Sequence, residues 1–177
     1  MKEEKNFVAV TTLPNNVKSA GQLFTSKVFY MSLLFLIVGI SLNMLSQRYL
    51  HYYINNGETL PVLSDLVLDN IPYLDIDYLY DIFSLVGFFI FTVYIVHRQK
   101  YHEVPYYLCV IAAFHTIRAL FIILTPFGNP PMFDGTESLF NGFSNYELGV
   151  YPSGHTGVSY LYFLLTESGS RYRKILF

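Results

Sequence analysis

Residues 28–47 read VFYMSLLFLIVGISLNMLSQ, twenty positions without one Asp, Glu, Lys or Arg. A helix needs about 20 mostly apolar residues to cross the hydrocarbon of a bilayer, so this stretch predicts a membrane span. A cleaved leader has a shorter apolar region and a small-residue cleavage site. This stretch starts late and ends in Asn-Met-Leu-Ser-Gln, which fits an uncleaved span.

Three further stretches carry the same signal. Residues 82–96, IFSLVGFFIFTVYIV, are uncharged, and Tyr78, Tyr80 and His97 extend them to a crossing. Residues 104–125 contain one charge, Arg118. Pro105 suits the first turn of that helix, where a missing N–H costs nothing, and Pro126 ends it. Residues 148–166 are uncharged, but Pro152, Gly154 and Gly157 crowd their start. Their helix is expected to begin near Ser153 and to reach full length by running on through Glu167 and Ser170. The fold class expected is therefore all-α, a polytopic transmembrane helical bundle. Residues 1–26 read as a polar lead, and 27–177 as one transmembrane domain.

Composition agrees with that reading. Of 177 residues, 14% are charged, against about 25% in an ordinary soluble domain. The single Cys109 rules out an intrachain disulfide and a Cys-rich zinc site. A net charge of −2 rules out a nucleic-acid binder of the usual electrostatic kind. That small net charge conceals two opposite faces. Lys2, Lys5, Lys18, Lys27, Arg98, Lys100, Arg171, Arg173 and Lys174 all fall on one side if the four spans alternate. Glu58, Asp65, Asp69, Asp75, Asp77, Asp134, Glu137 and Glu147 fall on the other. The basic side is expected to be cytoplasmic.

Chemistry concentrates where the chain enters the fourth span, at Tyr151-Pro-Ser-Gly-His-Thr-Gly157. Ser153 is a good N-cap, and Gly154 lets a ligand approach the backbone. The free N–H groups and dipole of a helix start favour phosphate. His155 would sit beside that phosphate, able to give or take a proton. The plain alternative is a turn followed by an interfacial histidine. Arg118 lies seven residues before Thr125, about 10 Å below the outer end of its span. An arginine inside a span is expensive, and its guanidinium suits phosphate geometry. The alternatives are snorkelling or an internal partner such as Asp81. His115 shares that helical face one turn earlier and is a candidate for positioning. Asp65 and Asp69, four apart, read as a solvated acidic loop or as positioning groups.

Tyr151-Pro-Ser-Gly-His-Thr156 resembles the second signature of the type 2 phosphatidic acid phosphatase superfamily. The wider pattern is closer to its sphingomyelin synthase-like branch. Pro61-Val-Leu-Ser-Asp65 with Asp69-Asn-Ile-Pro72 resembles that branch's first motif. Arg118 followed by Thr125-Pro126 resembles its arginine-containing span. The phosphatase branch has a Lys seven residues before its Arg and a Pro after it; Ile111 and Ala119 stand here. The resemblance implies six spans and transfer of a phosphate-linked headgroup between membrane lipids on the outer leaflet. Lipid phosphate hydrolysis is the close alternative. It implies His155 as acid–base, with Arg118, Ser153, Gly154 and Thr156 holding phosphate. It implies no metal, no cofactor and no nucleic-acid partner. The family's nucleophile is a later histidine with an Asp four residues on, and residues 156–177 contain neither. Arg173-Lys-Ile-Leu-Phe177 reads as the start of a fifth span, so the expectation is a truncated enzyme. A non-catalytic membrane binding or regulatory protein is the rival class.

Overall fold

The computed structural model describes residues 17, 19–57, 59–61, 70, 77–127 and 153–176. All regular structure among them is helical, as expected. In chain order the helices are α1 (Ala20–Phe24), α2 (Lys27–Asn55), α3 (Asp77–His97), α4 (Val104–Leu124), α5 (Gly154–Leu165) and α6 (Arg171–Leu176). A single 3-10 turn, Tyr101–Glu103, leads into α4, whose first turn holds Pro105.

Two stretches are long and apolar enough to cross a membrane, Lys27–Asn55 and Tyr101–Leu124. A helix from the core of a soluble protein would be mostly buried. Here the most apolar part of α2 is 11% buried and that of α4 28%. Phe83, Phe89 and Leu124 point outward as well. Such surfaces need an apolar solvent or a cover. Four hydroxyls within these helices are satisfied internally. Ser32, Ser46, Thr92 and Thr116 each donate to a backbone carbonyl one turn back.

Packing fixes the directions of the helices. Phe29 near the start of α2 and Leu23 of α1 pack with Val104 and Leu108 at the start of α4. Asn43, farther along α2, meets Arg118, farther along α4. These two helices therefore run parallel. A side-chain carbon at Gly39 would lie 2.6 Å from the Ala112 carbonyl oxygen, so glycine is what lets α2 and α4 close up. Helices α3 and α5 also run parallel: Asp81 meets His155 at their starts, and Arg98 meets Glu167 just past their ends. Helix α5 lies antiparallel to α4, since Gly154 faces Arg118 and Gly157 faces Phe114. The aromatic core lies between α3, α4 and α5. Phe91 stacks on Tyr162 with centroids 5.0 Å apart and meets Tyr107 edge-on at 5.2 Å.

The sequence reading needs correcting at three boundaries. Part of the N-terminal lead is folded, because Ser19 caps α1 and Leu23 is buried beside Phe29. Helix α2 continues past Gln47 to Asn55, where Gly57 adopts φ +88° and ends it. Helix α5 stops at Leu165 and does not run to Ser170. Thr166 is extended, with its hydroxyl on the Tyr162 carbonyl, and Gly169 at φ +84° reverses the chain. At 12 residues α5 is about 18 Å long, shorter than the bilayer's hydrocarbon core. The apolar part of α3, Asp81–His97, is also short of a full crossing.

Candidate functional site

The start of α5 is built as the sequence suggests. Ser153 is the N-cap, and its Oγ accepts from the Thr156 N–H at 3.4 Å. The Thr156 hydroxyl lies 3.3 Å from the same oxygen. The Gly157 N–H reaches the Ser153 carbonyl at 3.1 Å. The first N–H groups of a helix have no carbonyl within it to bond, so this end presents donors and the positive end of the dipole.

Arg118 is brought to this point from α4. It is 8% exposed, and its Nη1 donates to Asn43 Oδ1 of α2 at 2.6 Å. Its Nε and Cζ would lie 3.4 and 3.5 Å from a side-chain carbon at Gly154. The guanidinium therefore rests against the first residue of α5. The internal partner considered for Arg118, Asp81, is engaged elsewhere.

Asp81 sits in the first turns of α3, and its side chain is 3% exposed. Its Oδ1 lies 2.9 Å from Nε2 of His155, whose side chain is half exposed. One proton is shared across this contact, and a carboxylate in its ionised form can only accept it. The other ring nitrogen, Nδ1, lies outside that contact. Asp81 thus holds the orientation of the His155 ring through Nε2.

Comparison of the chain with protein-family models, with curated proteins and with solved structures finds no match in any of the three. The site must be read from its own geometry.

That geometry gathers His155, Arg118, Ser153, Gly154 and Thr156 at one end of the bundle. His115 lies one turn before Arg118 on α4, with its ring edge against Phe114. Its Nδ1 is enclosed and has no hydrogen-bond partner among the described residues. Asp65 and Asp69 lie outside the described residues, as do Tyr151 and Pro152. No three His, Cys, Asp or Glu side chains converge as metal ligands among the described residues.

Two groups carry more of the site than sequence reasoning gave them. Asp81 was visible as a carboxylate at the mouth of an apolar helix, a costly position that invites a partner. Asn43, an amide inside the first span, gave the same kind of signal. Neither revealed its partner, which lies 74 residues away for Asp81 and 75 for Asn43.

Proposed function

We propose that this chain is a membrane-embedded protein of lipid phosphate chemistry, with its site at the α5 start. The observation that supports this reading is the meeting of three elements there. A buried arginine, an acid-oriented imidazole and a capped helix N-terminus converge at one end of an apolar bundle. Arg118 and the first N–H groups of α5 would hold the phosphate oxygens. His155 would pass a proton through Nδ1, taking it from an incoming hydroxyl or returning it to a leaving oxygen. A lipid hydroxyl as acceptor makes the reaction a headgroup transfer, and water makes it a hydrolysis.

In the bilayer, α2, α3, α4 and α5 serve as four spans in alternating directions. The two short helices carry polar ends that draw the headgroup region inward. Helix α6 begins a fifth passage: Tyr172 contacts His97, and Leu176 lies beside Gly87, halfway back along α3. The end carrying Lys27, Arg98, Lys100 and Arg171 is cytoplasmic by the positive-inside rule, and the His155 site faces the opposite leaflet.

The resembled branch of enzymes works through a phosphohistidine. Residues 156–177 supply no second histidine, so these residues support binding and proton transfer without that nucleophile. A lipid-phosphate binder without catalysis, using the same residues, is the second reading.

Titration of the detergent-solubilised 177-residue protein with dioctanoyl phosphatidic acid tests the site. Binding is expected to weaken roughly 10- to 100-fold in Arg118→Gln, the loss of hydrogen bonds to a charged group. No turnover is expected from this chain. Unchanged affinity in Arg118→Gln contradicts the site. Turnover abolished by His155→Ala contradicts the need for a further nucleophile and removes the non-catalytic reading.

A further inference from the structure

The opposite end of the bundle holds an open groove of about 490 Å³, lined by Phe163, Ser168, Gly169, Ser170, Arg173 and Lys174. It lies where α5 stops short and Gly169 turns the chain into α6. The Arg173 guanidinium stands 4.4 Å over the Phe163 ring, and this holds the cation at the groove wall. The Arg173 N–H donates to Ser170 Oγ at 3.3 Å. Among the described residues no acidic side chain lines the groove. The nearest in sequence, Glu167, is paired with Arg98 at 2.9 Å. The groove therefore combines two cations, two serine hydroxyls and a mainly apolar wall. Its amphipathic character complements one kind of ligand, an anionic headgroup attached to an acyl chain. Its level in the bundle is that of the Arg98–Glu167 pair, the polar boundary at the basic end.

We propose that this groove binds an anionic phospholipid of the leaflet at the basic end, with the phosphate on Arg173 and Lys174 and an acyl chain along Phe163. This is a second lipid site, remote from His155, and it rests on the membrane placement proposed above. A guanidinium and an ammonium lining one groove suit a phosphodiester. Anchoring there would hold the α5–α6 turn at that polar boundary.

The test uses the 177-residue chain in nanodiscs of phosphatidylcholine mixed with phosphatidylglycerol, with retained lipids counted by native mass spectrometry. Phosphatidylglycerol is expected to be retained selectively. Its affinity is expected to fall about 30-fold in the Arg173→Gln, Lys174→Gln double variant, at roughly a factor of five per basic residue. The Arg173→Lys, Lys174→Arg double variant keeps both charges and should retain it. Lys27→Gln with Arg171→Gln removes two charges from the same end but outside the groove, and should weaken binding less than about threefold by screened surface attraction alone. Equal loss in the two charge-removing pairs would overturn the groove and leave a diffuse surface effect. Displacement of the lipid by excess inorganic phosphate would also overturn it, in favour of a simple anion site. A protein that enters the discs but shows no preference for phosphatidylglycerol sinks the groove alone. One that stays outside the discs sinks the membrane placement and the groove with it.

Discussion

Helices α3 and α5 are joined twice by an acid and a base, once at each end, and both contacts measure 2.9 Å. At the start, Asp81 is buried with its side chain 3% exposed, and it holds a half-open histidine. At the far end, Arg98 and Glu167 are 49% and 47% exposed. The far pair is surrounded by supporting contacts: the Glu167 N–H donates to Tyr94 Oη, and Tyr172 meets His97. Equal distances therefore conceal different roles. An exposed pair on a braced turn is a clip that solvent weakens. A buried carboxylate given to a half-exposed imidazole loses hydration, and the compensation is a ring held in one orientation.

The contrast predicts unequal responses. His155→Ala removes a partner from a buried carboxylate and should cost about 3 kcal/mol, the scale for a disrupted charged hydrogen bond. Glu167→Gln should leave the thermal midpoint nearly unchanged. Matching losses at the two ends, measured by thermal unfolding in detergent, would erase the distinction.

A smaller effect should follow from the packing that brings Arg118 to the site. Gly39 lies one turn before Asn43 on α2, and an added methyl there meets the Ala112 backbone. Gly39→Ala should cost about 2 kcal/mol through overpacking and should loosen the Asn43–Arg118 contact. At Gly87 on α3 an added carbon would sit 3.7 Å from the Tyr162 ring, an ordinary contact. Gly87→Ala should be neutral or mildly stabilising. Equal effects of the two substitutions would show that the α2–α4 approach does not position the site.

The smallest effect belongs to acid titration of the clip. The hydrogen bond and charge of Arg98 hold the Glu167 carboxyl below its usual range. A carboxyl with a lower value folded than unfolded contributes stability above its unfolded value and loses it as pH falls through the folded one. The Arg98 value is raised, so Arg98 stays charged throughout that window. The small gap in thermal midpoint between wild type and Arg98→Gln should therefore close in acid. A gap that widens as pH falls would reverse the assignment.

Much of this organisation was legible in the residues. The uncharged run at 28–47, Pro105 at the start of α4 and Ser153 as the α5 cap are local signals, and local physics decides them. Arg118 stood out because a charge in an apolar helix needs a reason. The pairings were not legible. Asp81 was considered for Arg118, yet helix packing gave it to His155 and gave Asn43 to Arg118. Such choices depend on how close the helices approach, which Gly39 and Gly157 set by lacking a side chain. The run-on of α5 through Glu167 and Ser170 does not occur because the chain turns extended at Thr166, where Thr166, Ser168 and Gly169 are weak helix formers. The acidic candidates Asp65 and Asp69 lie outside the described residues.

Carbethoxylation of the purified chain by diethyl pyrocarbonate, resolved by peptide mass spectrometry, tests the central claim most directly. His155 is half exposed and should react, and His51, His97 and His102 serve as internal references. Dioctanoyl phosphatidic acid should protect His155 selectively, and dioctanoylglycerol, which lacks the phosphate, should not. Equal protection by both lipids, or protection by neither, would contradict a lipid-phosphate site at the start of α5.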